Sequence, residues 1–254
     1  MPPVRDGRPL KRWRYVGVYG ADLMLCAGTV RVAGVPQCFW AVRDRGTLVL
    51  RERTRLGPAR GRVVVREDAV RVRDDGVRIE LALEEAGAPV AVTSRHGRST
   101  IWTRKRPVLA RGTVVLDGRI VEVEARGLAD ESAGHHARET AWDWCAGVGH
   151  TGDGRALVWN LVAGVHDARR GSERTVWVDG VAHEVDPVAF SAALDAAGDL
   201  RFAAEAERRR HDCVAFGLLE SEYRQPFGAF SGTLPGGIAV ASGQGVMERH
   251  RARW

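Results

Sequence analysis

The side chains best suited to move protons are concentrated in residues 126–164. His135 and His136 are adjacent there, and Asp130 and Glu131 precede them. An imidazole can act as a general acid or base near neutral pH, and a neighbouring carboxylate can orient it. Neighbours on a strand point to opposite faces, so at most one histidine faces a given cavity. We predict one histidine and one acid of this set as the catalytic pair. The alternative is that one histidine is on the surface and the other ties down a loop.

The same segment also raises the question of a metal ion. Glu139 follows His136, and His150 or Asp130 would complete a ligand set. The order is not HExxH, and a strand does not bring residues four positions apart to one face, so the spacing disfavours a metal. The sequence has no Walker, GxSxG or kinase signature, and GVG at 147–149 lacks the strand-to-helix context of a dinucleotide site. We predict no metal and no cofactor.

Tryptophan is overrepresented, with eight residues against three tyrosines. Trp142 and Trp144 would share one face of a strand and line one wall with two indoles. Trp102, Trp159 and Trp177 lie in comparable strand-like runs. Barrels that hold flat hydrophobic ligands use indoles as cavity walls, whereas a single tryptophan is more often part of a core. We predict these five residues as the ligand-binding set, with core packing as the alternative.

Two weaker candidates lie nearer the C-terminus. On a strand, Glu248 and His250 share a face and can form an internal carboxylate–imidazole pair. Upstream, residues 220–225 combine two glutamates with Tyr223, an arginine and Gln225. A buried glutamate or tyrosine there could act on a ligand, and a surface ion pair is the alternative reading.

Strands must position all of these residues. Charged and apolar positions alternate in runs such as RVRDDGVRIELALEE at 71–85, which is typical of antiparallel strands with one dry and one wet face. Asp-Gly pairs at 75–76, 117–118 and 179–180 indicate tight hairpin turns. Helix is scarce: residues 187–197 could form a helical turn or two, and residues 200–210 could be a helix or an alternating strand. We predict a short helix or loop followed by a strand. The pattern predicts an all-β barrel or sandwich.

The order of strands and hairpins restarts near residues 107–112. We therefore predict an N-terminal β-barrel or sandwich half over residues 1–110 and a C-terminal β-barrel half over 111–254 that carries the site. The chain of 254 residues is long enough for two such units, each with its own core.

Charge and hydropathy limit the classes of partner and the cellular location that we expect. The net charge of +6 and a pI near 9.7 suggest nucleic acid as a partner. The arginines alternate with acids, however, as in RER at 51–53, and this pattern is typical of a solvated strand face. No apolar run is as long as the about 18 residues that a membrane-spanning helix needs. The N-terminal segment also lacks the apolar region of a signal peptide. The four cysteines form no CxxC pair, which favours buried free thiols. We predict a cytoplasmic protein with no nucleic-acid partner and no membrane span; the oligomeric state stays open.

Several segments resemble the bacterial family known as domain of unknown function 2804. They are DESAGHH (130–136), TAWDWCAGVG (140–149), DGRALVWNL (153–161), YRQPFGAFSGTLPGG (223–237) and GVMERHRARW (245–254). The acid–His segment, the W-x-W strand and the DGR turn are also similar to the group of hydroxyneurosporene synthase, AttH-like proteins and tocopherol cyclase. That resemblance implies paired lipocalin-like barrels, a calycin architecture, with a hydrophobic ligand within or between them.

Two functions are compatible with this pattern and with the resemblance. The first is a cofactor-independent cyclase, hydratase or isomerase that holds an isoprenoid, polyene or polyketide-like ligand in a reactive conformation. The second is a non-catalytic carrier or sensor of a lipid or isoprenoid. An interaction protein with residues 126–164 as a surface loop is a third reading. A shielded pocket with an inward-facing acid–base group favours the enzyme.

Overall fold

The computed structural model describes residues 1–57, 61–96, 98–214 and 219–253. Within those ranges the chain forms twenty β-strands, all paired antiparallel, and no helix. The predicted all-β fold with two antiparallel halves is confirmed. Residues 187–197 contain no helix; they end in a two-residue strand.

The first half of the chain forms a two-stranded ribbon and a ten-stranded sheet. The ribbon is β1 (Val4–Arg5) and β2 (Arg8–Pro9), and the sheet strands are β3 (Lys11–Tyr19), β4 (Leu23–Val32), β5 (Val35–Asp44), β6 (Val49–Leu56), β7 (Val63–Val65), β8 (Ala69–Asp74), β9 (Val77–Glu85), β10 (Val90–His96), β11 (Ser99–Leu116) and β12 (Arg119–Gly134). The pairing order is β6-β5-β4-β3-β12-β11-β9-β8-β7, and β10 also pairs with β11.

The second sheet has eight strands. They are β13 (Glu139–His150), β14 (Ala156–Ala163), β15 (Thr175–Val178), β16 (Val181–Glu184), β17 (Ala196–Ala197), β18 (Leu200–Val214), β19 (Leu219–Leu234) and β20 (Ile238–Arg253). Their order is β16-β15-β14-β13-β20-β19-β18-β17. The pairing changes from the first sheet to the second between Gly134 and Glu139, whereas positions 110 and 111 are neighbours within β11. The division of the chain into domains at that point stays a prediction.

The Asp-Gly turns are where the sequence places them. β8 and β9, β11 and β12, and β15 and β16 are each joined by two residues. In all three turns both residues have positive φ, for example 41° at Asp75 and 74° at Gly76. This is the backbone of a type I′ turn, which aspartate and glycine adopt at low cost and which matches the twist of the flanking strands.

Each sheet curves around a core of its own. In the first sheet, Leu25 and Trp40 of β4 and β5 belong to the same buried cluster as Val70 and Ile79 of β8 and β9. Those strands are far apart in the pairing order, so the sheet folds over on itself. The second sheet encloses a separate cluster that includes Trp159, Phe202, Phe230 and Met247. Because strand residues alternate between faces, the other face of the central strands remains available for contact between the sheets.

A third buried cluster fills the space between the two sheets, and we call it the seam. Its fully buried members are Tyr15, Tyr19, Met24, Cys26, Ala41 and Leu128 from the first sheet and Trp144, Ala146, Val148, Val158, Val162, Trp177, Phe227 and Val246 from the second. Cys26, Cys38 and Cys145 are buried free thiols, as the sequence indicates, while Cys213 is exposed. Titratable residues of both halves also come together at the seam.

Candidate functional site

Glu248 of β20 is a buried carboxyl that pairs across the strands with Trp144, a residue of the seam. Three side chains donate hydrogen bonds to it: Trp142 Nε1 to Oε1 at 2.8 Å, Tyr223 Oη to Oε2 at 2.9 Å and Gln225 Nε2 to Oε2 at 3.1 Å. We call these four residues the acid site. Trp142 is on β13 and the other two are on β19, the strands that pair with β20 on either side.

Burial controls the protonation of this carboxyl. Removal from water disfavours the charged form and raises the pKa of Glu248 above its usual range. The hydrogen bonds from Trp142 and Tyr223 oppose the shift, Asp130 adds to it, and Arg208 opposes it. A carboxyl with a raised pKa keeps a proton closer to neutral pH and is suited to give that proton to a ligand.

A buried arginine contacts the acid site. Arg208 of β18 donates from Nη1 to Gln225 Oε1 at 3.1 Å and to Cys26 Sγ at 3.4 Å, and from Nε to Glu52 Oε2 at 2.7 Å. Its guanidinium lies 4.8 Å from the Phe39 ring centroid and 5.6 Å from that of Tyr223. Gln225 therefore links a permanent positive charge to the carboxyl of Glu248.

A row of half-buried rings borders the acid site. The Trp13 and Trp142 rings stack with centroids 6.4 Å apart, and His136 lies 4.9 Å from Trp13 on the other side. His250 meets Trp142 edge-on at 4.4 Å and Tyr223 at 5.4 Å. We call Trp13, Trp142, Tyr223 and His250 the aromatic row. Burial lowers the pKa of His250 to about 4, so its ring is neutral at pH 7.

A second buried charge cluster lies deeper in the seam. Lys105 Nζ is 2.8 Å from Asp130 Oδ2 and 3.3 Å from Glu173 Oε1, and it lies 5.7 Å from the centroid of the Trp144 ring. Burial by itself lowers the pKa of Lys105, but the two carboxylates outweigh it and hold that pKa above its usual range. Burial also raises the pKa of Asp130, against the charge of Lys105. Trp144, which the Lys105 ammonium approaches, is the cross-strand partner of Glu248 on β13 and β20.

The four predicted catalytic residues are dispersed by the strand geometry. Asp130 faces the seam and pairs with Lys105, whereas Glu131, on the other face of β12, forms an ion pair with Arg14 at 3.3 Å. His135 and His136 follow the end of β12 and are both buried. His135 Nε2 donates to the Pro2 carbonyl at 3.0 Å. His136 lies against the aromatic row.

The five predicted tryptophans divide between three environments. Trp142 and Trp144 face the seam together, as their spacing predicts, and Trp144 Nε1 donates to Asn160 Oδ1 at 2.6 Å. Trp177 is also in the seam and donates to the Ala88 carbonyl of the other sheet at 2.7 Å. Trp159 faces the core of the second sheet. Trp102 is half-buried, and it alternates with Lys105 along β11, so it points to the face opposite the charge cluster.

Sequence reasoning assigned Glu248 and Tyr223 a secondary place and did not single out Arg208 or Trp13. The strand alternation that puts Glu248 and His250 on one face was readable in the sequence. The sequence does not show which face of β18 or β3 contacts the face that carries Glu248 and His250. That contact depends on pairing between strands far apart in the chain.

Other features of the described residues lie away from the seam. An open cavity of about 530 Å³ at one end of the second sheet is lined by residues that include Val178, Val181, Val185 and Ile238. In the described part of the chain, no group of three or more His, Cys, Asp and Glu side chains is arranged as a metal site. Over the same residues, no helix has the length and apolar character needed to cross a membrane.

Comparison with known proteins gives a family and a shared fold. The family described as "Domain of unknown function (DUF2804)" matches residues 59–254. A protein assigned as AttH from Nitrosomonas europaea has a similar structure, with a TM-score of 0.57, 16% identity and coverage of 98% of each chain. Kievitone hydratase from Nectria haematococca has a TM-score of 0.59 at 11% identity, covering 96% of this chain and 88% of the hydratase. At these identities the likeness shows the fold alone. No curated protein sequence matches the chain significantly.

Proposed function

The chain belongs to the DUF2804 family, and we propose that it is a cofactor-independent acid–base enzyme that binds a hydrophobic, unsaturated ligand at the seam. One observation carries the proposal: Glu248 is a buried carboxyl with a raised pKa, held by three side-chain donors beside the half-buried aromatic row. A purely structural carboxylate gains nothing from an elevated pKa, whereas a general acid requires one.

The chemistry open to this site is protonation of a double bond or a carbonyl. Glu248 would supply the proton, and the developing positive charge on the ligand would lie among indole and phenol rings, which attract cations. Addition of water would then make the reaction a hydration; loss of a different proton would make it an isomerisation, and attack by a second double bond a cyclisation. Each outcome begins with the same proton transfer.

The aromatic row indicates the ligand class. Trp13 and Trp142 present flat apolar rings, and His250 is neutral at pH 7, so this border of the site favours an unsaturated, weakly polar molecule over an anion. An isoprenoid, polyene or polyketide-like ligand, the class expected from the sequence, has these properties. One protein of the same fold is named a hydratase, which fits the proposed chemistry.

The residues predicted from the sequence keep a place in this proposal. Trp142 and Trp144 form the wall on the second sheet, and Asp130 acts at a distance by raising the pKa of Glu248. A catalytic role for His135 or His136 stays a prediction, with His136 better placed because it contacts Trp13. Three buried free thiols are compatible with the cytoplasm that the sequence predicts.

Native mass spectrometry on protein purified from its own host tests the proposal first. A co-purifying lipophilic molecule is expected, and it is then incubated with the wild type, with Glu248→Gln and with Glu222→Gln. Glu222 is an exposed glutamate on the same strand as Tyr223 and serves as the matched control. The wild type and the control should convert the ligand to a product that is heavier by one water or has the same mass.

Two results would contradict the enzyme. If Glu248→Gln converts the ligand as fast as Glu222→Gln, Glu248 is not the acid. If the wild type binds the ligand and releases it unchanged, the protein is a carrier or sensor, which is the second function expected from the sequence.

A further inference from the structure

The acid site contains donors of two kinds, and the difference decides where a proton can go. The indole N–H of Trp142 can only donate. The amide of Gln225 has a fixed orientation, because Arg208 Nη1, itself only a donor, lies 3.1 Å from its oxygen. The Gln225 nitrogen therefore faces Glu248 and can only donate as well.

Tyr223 is the one partner of Glu248 in the described acid site that can reverse its role. A hydroxyl both donates and accepts. While Glu248 is ionised, Tyr223 donates to Oε2 at 2.9 Å. Once Oε2 carries a proton, that proton needs an acceptor, and of the three bound groups only the Tyr223 oxygen can accept it. The Tyr223 hydrogen must then turn away from Glu248.

We propose that Tyr223 is a further catalytic residue, the group that passes the proton of Glu248 to the ligand. This inference rests on the proposed function. In the transfer, the Tyr223 O–H bond breaks as its hydrogen bonds to the accepting atom of the ligand. At the same time the Oε2–H bond of Glu248 breaks and that proton joins the Tyr223 oxygen. Tyr223 ends neutral, Glu248 ends ionised and the ligand has gained one proton.

Burial and charge both support the relay. Glu248 is buried, while Tyr223 is half-buried and belongs to the aromatic row. Burial, followed by the nearby charge of Glu248, raises the pKa of Tyr223 well above its usual range, so the phenol stays neutral throughout. The other titratable and charged groups that act on Glu248 and Tyr223 come from both sheets: Tyr15, Tyr19, Cys26, Asp130 and Arg208.

Infrared spectroscopy with ring-labelled tyrosine tests the relay without a substrate. The chain has three tyrosines, so few phenol C–O bands overlap. The frequency of that band differs between a donating and an accepting hydroxyl. The Tyr223 band, identified by its loss in Tyr223→Phe, should move from the donor to the acceptor position as Glu248 is protonated. In Glu248→Gln it should not titrate. Tyr15→Phe and Tyr19→Phe assign the other bands, so the assignment survives if one variant fails to fold.

The outcomes separate the relay from the proposed function. If the Glu248 carbonyl band reports protonation while Tyr223 remains a donor, the relay is wrong and Glu248 remains the acid. If the Tyr223 band titrates equally in Glu248→Gln, the relay is also wrong. If Glu248 shows no protonation above the usual range of a glutamate, the relay and the proposed function fall together.

Discussion

Single side chains decide whether Glu248 can act as an acid. Burial raises its pKa, and the positive charge of Arg208 partly offsets that shift through Gln225. A buried ion without enough partners is energetically costly, so each of these groups influences the protonation state of its neighbours. The balance can be altered one residue at a time.

Replacing Arg208 by methionine should raise the pKa of Glu248 further. The change keeps a long side chain but removes a cation that opposes the burial shift at this carboxyl. It also removes the hydrogen bond from Arg208 to Gln225 Oε1, so we expect a loss of about 1–3 kcal/mol in the free energy of unfolding. Carbon-13 NMR titration of the Glu248 carboxyl and urea unfolding measure the two effects.

Arg209→Met on the same strand is the control, because that arginine is exposed and pairs with Glu207 at the surface. It should change neither quantity by much. A Glu248 pKa that stays the same or falls in Arg208→Met would contradict the electrostatic assignment.

His250 should make stability depend on pH below neutrality. Its pKa is lowered to about 4 in the folded chain, from 6.5, so the unfolded chain binds the proton first as pH falls. The stability associated with this group is complete above about pH 6.5 and is lost between there and about pH 4. From pH 7 to pH 5 the loss is about 2 kcal/mol.

The measurement is denaturant unfolding at both pH values for the wild type, His250→Gln and His183→Gln. His183 is exposed on β16 and provides the control. The pH effect should shrink in His250→Gln and persist in His183→Gln. An equal pH effect in all three proteins would show that His250 is not its source.

At the scale of strands, β13 and β20 are covered on both faces. Small residues in these strands leave room for the side chains that pack on them. Residues 144–149 of β13 are all buried, with one face in the seam and the other in the core of the second sheet. Gly147 pairs with Trp159 on β14 and with Gly245 on β20. The Trp159 ring lies across Gly147, so a methyl group there would overlap the indole.

Gly147→Ala should therefore destabilise the chain by about 1–3 kcal/mol, because the indole has to shift inside a packed core. Gly152→Ala is the matched control, since a methyl group on Gly152 would meet open space. Urea unfolding compares the two variants. Similar free energies of unfolding for both would mean that Trp159 does not pack across Gly147.

The strands and their turns were the features of this protein that the sequence predicted best. Period-two alternation over 71–85 predicted β8 and β9, and the Asp-Gly pairs predicted their turns, because both signals are local. Residues 200–210 were ambiguous between helix and strand, and pairing with β19 makes them the strand β18. Tertiary pairing decides such segments where local preference does not.

The candidate site was only partly readable. The shared face of Trp142 and Trp144, and that of Glu248 and His250, follow from strand geometry. The positions of Arg208 and Trp13 do not, because these residues reach Gln225 and Trp142 through contacts between strands far apart in the chain. Strand alternation sends Asp130 and Glu131 to opposite faces of β12, so only one of the two predicted acids faces the seam.

At the scale of the whole molecule, specific hydrogen bonds and an ion pair join the two halves of the chain. Trp177 donates to the Ala88 carbonyl, and Gln244 donates to that of Tyr19 at 3.2 Å. Arg45 makes a two-bonded ion pair with Glu205, at 3.0 and 2.8 Å. These contacts fix how the first sheet is positioned against the second.

Trp177→Phe should weaken this connection. The smaller ring leaves a gap in the seam and removes the donor to Ala88, for an expected loss of about 1–3 kcal/mol in the free energy of unfolding. Trp102→Phe is the control, because Trp102 is half-buried outside the seam. Urea unfolding reports both. A loss in Trp102→Phe as large as in Trp177→Phe would contradict the special role of Trp177.

The most direct test of Glu248 as the acid is the titration of its carboxyl carbon by NMR, assigned with Glu248→Gln. We predict that Glu248 titrates clearly above the usual glutamate pKa of about 4.3. A Glu248 that titrates at or below that value would be permanently ionised near neutral pH, and could not be the acid of an enzyme at the seam.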